Sequence, residues 1–211
     1  MSAVGVLALQ GGFEAHLEAL ARAGSPGRAV RRVAELAGLD ALVMPGGEST
    51  TLLNLMADEP WFDALRAFHA EGGALFGTCA GAILLAREVR GPSQPSLGLL
   101  DAVVERNAYG RQVDSFEATL DAPALGGSVS GVFIRAPRFR ALGPDVEVLA
   151  SRDGEPVLVR EGRIWAATFH PELTASAAVH AAFLSAVRER LPASVQADAP
   201  DLQLAFPSDL K

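Results

Sequence analysis

The chain has 211 residues and one cysteine, a length that suits a single large domain and a thiol count that rules out an internal disulfide and points to the cytoplasm. Its net charge of −7 and its scattered arginines argue against a nucleic-acid surface. No apolar stretch has the eighteen or so residues of a membrane span, and no basic region precedes the first apolar segment, so neither a membrane partner nor a secretory signal is expected.

Ala3–Leu9 reads as a first strand, apolar on both faces as in a covered parallel sheet. Gln10-Gly11-Gly12 follows its C-terminal end, then a helix over Phe13–Ala23 with Leu17, Leu20 and Ala21 inward. The glycines lack the Gly-x-Gly-x-x-Gly spacing, which excludes a dinucleotide fingerprint. After a turn at Gly24–Gly27, Arg28–Val33 is a short second strand. Asp40–Met44 is a third strand, ending in Pro45-Gly46-Gly47-Glu48-Ser49. Ser49 or Thr50 is placed to cap a helix beginning near Thr51, and the Gly-Gly backbone lets a ligand approach closely. A bare glycine turn with a helix cap fits this spacing equally well.

A helix over Trp61–Glu71 leads to the apolar strand Ala74–Phe76 and a helix over Ala80–Arg87. Between them, Gly77-Thr78-Cys79-Ala80-Gly81 has the glycine–x–nucleophile–x–glycine form of a strand-to-helix elbow, with Cys in the nucleophile position. A thiol there meets the positive end of a helix, which favours the thiolate. An ordinary Cys is only a few per cent ionised at neutral pH, and a fall of about 1.5 pKa units makes it roughly half ionised. The competing reading is a buried structural thiol. Strands alternating with helices imply a doubly wound α/β sheet, whose sites gather at the carboxyl ends of strands. Gln10, Gly46-Gly47 and Cys79 all fall at such ends.

Beyond a loop at Gly91–Ser96, the segments Leu99–Arg106, Ser115–Leu120, Gly131–Ile134, Val146–Ser151, Pro156–Arg160 and Arg163–Phe169 read as short strands with hairpin turns. The fold class expected is therefore α/β: a single domain with a mostly parallel, doubly wound sheet, helices on both faces, and an antiparallel extension in the second half. Ala175–Arg190 closes residues 1–191 as an amphipathic helix with Val179, Phe183 and Val187 inward. Residues 192–211, rich in Pro, Ala and Asp, read as a loose tail in which Leu202–Phe206 either docks or stays disordered.

A thiolate nucleophile needs a base that later protonates the leaving group, and histidine is the usual choice. His16, His69 and His180 lie in predicted helices, where a solvated surface role is expected. His170 follows an apolar strand and begins His170-Pro171-Glu172. In an extended segment Glu172 would share its side and orient the imidazole, giving the triad Cys79, His170 and Glu172. No histidine pair has metal-ligand spacing and one Cys makes no thiolate cluster, so no metal is expected.

With these residues in place, the chain resembles the class I, triad-type glutamine amidotransferases, and among them the glutaminase subunits of pyridoxal 5′-phosphate synthases. The matching stretches are Gly5–Gly11, Leu42–Thr51, Gly77–Gly81, Gly98–Asp101, Arg106–Glu117, Phe133–Pro137 and Thr168–Leu173. The elbow with His-Pro-Glu is shared by many amidotransferases; Pro45–Thr51 and Arg106–Gln112 are what point to the subfamily. The chain departs from it in opening its first helix with Gly11–Glu14, in the link Ser25–Gly27, and in the tail beyond Leu191.

The resemblance implies that Cys79 attacks the side-chain amide of L-glutamine and releases ammonia through a γ-glutamyl thioester. The backbone N–H groups of Gly47 and Ala80 would form the oxyanion hole. Gly47, Glu48, Ser49, Arg106, Ile134 and Arg135 would bind the amino-acid end, and Gln10 would respond to the partner. It implies no cofactor, and a hetero-oligomer with a lyase-type synthase subunit that receives the ammonia and condenses it with sugar phosphates through lysine imines. The only lysine here is Lys211, so this chain's folded part has none for that imine chemistry. Two other readings are a glutaminase serving a different synthase and a non-catalytic thiol sensor on the same scaffold.

Overall fold

A computed structural model describes residues 2–106, 108 and 115–189. The first half builds β1 (Val4–Leu7), α1 (Phe13–Arg22), β2 (Arg28–Val30), β3 (Ala41–Met44), α2 (Ser49–Leu55), α3 (Trp61–Ala70), β4 (Ala74–Thr78) and α4 (Ala80–Leu85). The second half adds β5 (Ala86–Arg90), β6 (Leu100–Glu105), β7 (Phe116–Ala122), β8 (Gly127–Phe133), β9 (Arg138–Leu142), β10 (Glu147–Arg152), β11 (Glu155–Glu161), β12 (Ile164–Ala167) and α5 (Ala178–Glu189).

Nine strands form one sheet in the order β2-β1-β3-β4-β12-β11-β10-β7-β8. The strands β2, β1, β3, β4 and β12 are parallel neighbours, and from β12 onward each pairing is antiparallel. This is the expected parallel sheet with an antiparallel extension. The continuous apolar runs of β1, β3 and β4 have their reason in two cores. Leu42, Met44 and Leu75 pack with α2, α3 and α4 on one face. Val43, Ala41 and Phe76 pack with α1 and α5 on the other. Phe76 meets Trp165 edge-on at 6.4 Å and Phe183 at 5.3 Å between ring centroids. Full burial of such a ring contributes about 1.5–3 kcal/mol.

Several expectations need correction. A second sheet, β5-β6-β9, covers the α4 side and was not expected. The fourth helix stops at Leu85 rather than Arg87, and the chain continues as a strand whose Ala86 and Val89 are buried. The second strand ends at Val30, with Val33–Leu36 a helical turn. In α1 the buried side chains are His16, Ala19 and Leu20, with Leu17 partly buried against the same core, while Ala21 is exposed. Neither Ser49 nor Thr50 caps α2: Glu48 does, its carboxylate accepting the Thr51 N–H at 2.7 Å. The longer Glu side chain reaches that donor from one residue earlier. The tail 192–211, with Leu202–Phe206, and most of Arg106–Glu117 lie outside the described residues.

Candidate active site

The parallel register lines up the carboxyl ends that matter. Met44 stands opposite Gly77, and Thr78 opposite Ala167. The residues that follow each strand therefore emerge side by side. The Cys79 N–H donates to the Ala167 carbonyl at 2.8 Å, and the His170 N–H donates to the Val132 carbonyl at 2.8 Å. Both backbones are clamped before their side chains act.

Cys79 has φ 49° and ψ −103°, a strained conformation for a side chain with a Cβ. The flanking glycines explain how the bend closes: a methyl on Gly77 would stand 2.4 Å from the Gly81 carbonyl carbon, and one on Gly81 would stand 2.1 Å from the Met44 oxygen. Ala80, fully buried, is the first residue of α4, where an N–H has no carbonyl one turn back.

His170-Pro171-Glu172 is not extended, as the sequence suggests, but bends into a helical turn over Pro171–Leu173. Proline's fixed φ suits that first helical position. The turn still returns the carboxylate: His170 Nδ1–H donates to Glu172 Oε1 at 2.7 Å, and the other ring nitrogen is left for the thiol. Cys79, His170 and Glu172 are 6%, 9% and 4% exposed. Burial opposes charge on His170, but hydrogen bonds from the ring to Cys79 and Glu172 outweigh it and push its pKa up to about 10. Burial likewise opposes the Glu172 carboxylate, and the imidazoles of His16 and His170 hold it well below the usual range.

These residues open onto a cavity of about 450 Å³, the size of a small-molecule site. Gly46, Gly47, Glu48, Ser49, Cys79, Arg106, Ile134, Arg135, His170, Glu172 and Leu173 are among its walls, so the residues expected to bind glutamine and those expected to form the triad share one pocket. Arg106 reaches Glu48 at 3.3 Å, so the two charged candidates hold each other at the rim. Hydrogen bonds from the Thr50 hydroxyl and the Thr51 N–H lower the Glu48 pKa to about 2. Arg135 has φ 42°, a second strained non-glycine residue in the wall. Gln10 lies over Gly47, where a methyl would sit 2.2 Å from its Oε1, and that oxygen accepts the Glu48 N–H at 3.4 Å.

Two expectations about histidines fail. His16 and His180 are fully buried rather than solvated. His16 Nε2 lies 3.3 Å from Glu172 Oε2, and its Nδ1 lies 2.9 Å from His180 Nε2. Helical spacing carried a signal: His16 is four residues before buried Leu20, and His180 is three before buried Phe183. His69 is partly buried, its Nδ1 3.1 Å from the Gly73 carbonyl.

A family model described as the SNO glutamine amidotransferase family matches residues 6–189. The chain belongs to the SNO glutamine amidotransferase family. Among relatives of this SNO-family chain, the pyridoxal 5′-phosphate synthase subunit PdxT of Thermus thermophilus is 57% identical over 183 residues, covering 86% of this chain and 95% of its own. The protein of the same name from Deinococcus radiodurans is 52% identical, with 89% and 98% covered. A crystal structure of a glutamine amidotransferase superposes with a TM-score of 0.83 at 54% identity, covering 89% of this chain and all of that one. A chain of the PurLQS structure from Thermotoga maritima, at 16% identity and a TM-score of 0.63 over 89% of this chain and 96% of that one, shares the fold alone.

In this SNO-family amidotransferase the two shifted groups make stability depend on pH in opposite directions. Glu172, lowered, contributes stability that is present above its ordinary value of 4.5 and lost as pH falls through the folded value. His170, raised, contributes stability that is present below 6.5 and lost as pH rises through about 10. The pair is therefore expected to stabilise most between pH 4.5 and 6.5. Urea unfolding of the wild type and His170→Gln across pH should show the gap in midpoints shrinking above pH 6.5. A gap that widens toward alkaline pH would contradict this assignment.

Proposed function

We propose that the chain is the glutaminase subunit of a pyridoxal 5′-phosphate synthase, hydrolysing L-glutamine to L-glutamate and passing ammonia to a separate lyase-type subunit. The observation that carries the reading is the strained Cys79, lining one cavity with an imidazole whose Nδ1 is held by Glu172, in a chain about half identical to proteins named for that synthase.

Cys79 sulfur attacks the side-chain carbonyl carbon of glutamine, and the carbonyl oxygen becomes an oxyanion received by the N–H groups of Ala80 and Gly47. One such donor is typically worth about a hundred- to thousandfold in rate. The tetrahedral species collapses with breakage of the C–N bond. The His170 imidazolium gives its proton to the leaving nitrogen, so ammonia departs and a γ-glutamyl thioester remains. The now neutral ring takes a proton from water as hydroxide adds to the thioester, and collapse returns the thiol and glutamate. Glu172 keeps Nδ1 protonated and steadies the imidazolium throughout. Arg106 is suited to the α-carboxylate, with Glu48 and Ser49 toward the amine and Ile134 and Arg135 closing the side.

Gln10 lies over Gly47 and beside the Glu48 N–H, and on this reading it would couple the oxyanion turn to a docking partner. On this reading residues 1–191 are the glutaminase domain, 192–211 are a tail, and the protein works in the cytoplasm. The test is glutamate release from glutamine with and without the synthase subunit. Release should rise strongly on mixing; no gain over the isolated chain would count against the assignment.

A further inference from the structure

The buried face behind the triad holds a second layer of polar groups. α1 delivers His16 and α5 delivers His180 into the core, both fully buried. His16 Nε2 stands 3.3 Å from Glu172 Oε2 and 3.1 Å from Thr78 Oγ1. That hydroxyl oxygen in turn accepts the Gly46 N–H at 3.1 Å. Glu172 spends Oε1 on His170, and among the described residues Oε2 has no aligned hydrogen bond, only the His16 ring beside it.

The tautomers follow from what is left unpaired. His180 Nδ1 is buried with no partner among the described residues. A buried lone pair without a donor is tolerated better than a buried N–H without an acceptor. Burial, with the neighbouring His16, pushes the His180 pKa down to about 3, so this ring is neutral. Its proton therefore sits on Nε2 and is donated to His16 Nδ1, 2.9 Å away. His16 then carries its own proton on Nε2, donated to Thr78 Oγ1 at 3.1 Å, with Glu172 Oε2 3.3 Å from the same nitrogen.

We infer that His16 is a positioning residue for the amide-hydrolysis site: its ring lies against the far oxygen of Glu172 and, through its hydrogen bond to Thr78, links the surroundings of that carboxylate to the Gly46 backbone beside the oxyanion turn. One ring thereby couples the triad's acid to the segment carrying Gly47. Without it, Oε2 would be a buried carboxylate oxygen with no polar group beside it, and Glu172 would take up a proton or rotate. Either response removes the charge that supports the His170 imidazolium, and with it the reactive thiolate. The groups facing Glu172 are His170 on its own turn, His16 from α1, and behind them His180 from α5 with Arg22 at the end of α1. β8, which pairs with His170, brings no titratable side chain.

The kinetic arm of the test rests on the proposed glutaminase activity; the chemical arm does not. The rate of Cys79 alkylation by iodoacetamide is followed against pH on the full chain, whose single thiol makes the signal unambiguous. Beside it, kcat and KM for glutamate release are measured with the synthase subunit. In His16→Phe the acid limb of alkylation should move up by about one pH unit or more, since Glu172 then protonates more readily. kcat should fall about ten- to a hundredfold with KM within about twofold. His16→Gln, which keeps a side-chain donor, should recover most of both. If His16→Phe does not fold, Thr78→Val removes the oxygen at nearly constant shape, and its kcat should fall in the same manner. Folded variants with an unmoved acid limb and unchanged kcat, differing only in melting temperature, would overturn the inference. A wild-type chain silent with its partner would overturn the proposed function, and the alkylation profile would still decide the role of His16.

Discussion

Replacing His170 by Ala is expected to cut glutamate release by about a hundred- to ten-thousandfold while leaving KM within a few-fold. On the proposed mechanism the loss is in kcat because the imidazole acts on protons in flight rather than on bound glutamine. The magnitude follows from the isolation of the ring. His16 and His180, the neighbouring imidazoles, stand beyond Glu172 and make their contacts with its far oxygen, Thr78 and each other. Neither is placed to substitute at the thiol. The raised pKa of His170, about 10, means that the ring holds its proton at neutral pH, ready for the leaving nitrogen. Steady-state kinetics of glutamate release with the synthase subunit check this. A variant retaining a tenth or more of the wild-type kcat would show that the ring is not the proton carrier.

The second large effect is expected at Gly46, by shape alone. A methyl there would lie 2.4 Å from His170 Cε1 and 3.0 Å from Cys79 Cβ. The ring has little room to yield, since its backbone is tied to Val132 and its Nδ1 to Glu172. Gly46→Ala should therefore fold but separate imidazole from thiol. A displacement of about 1 Å costs roughly a hundredfold in rate. Circular dichroism and thermal melting should show a folded variant, and activity should fall by about that factor. Near-wild-type turnover would mean that the gap between ring and thiol is looser than its geometry indicates.

The convergence of Cys79, His170 and Glu172 on one cavity was legible in the sequence because the features behind it are local. A nucleophile between two close-packed glycines, and a His-Pro-Glu after an apolar strand, each declare themselves within five residues. The parallel strands were equally plain, since burial on both faces leaves continuous apolar runs. β9 was missed because four of its five residues, Arg138, Arg140, Ala141 and Leu142, look outward or are only partly covered. β5 was missed because Ala86 and Arg87 extend the composition of α4 without a breaker. The buried histidines were misjudged for a different reason. A histidine on an amphipathic helix is ordinarily solvated, and only the docking of α1 and α5 on one sheet face turns His16 and His180 toward each other. The capping of α2 by Glu48 was hidden because short polar residues, present at Ser49 and Thr50, are the commoner caps.

The most direct measurement is covalent trapping. The chain, with its synthase subunit, is exposed to a glutamine-mimicking diazoketone and digested, and the adduct is located by mass spectrometry. The expected result is one adduct on Cys79, suppressed by excess L-glutamine and lost in His170→Ala. Labelling that glutamine does not suppress, or that persists at full rate without His170, would contradict a Cys79–His170–Glu172 glutaminase.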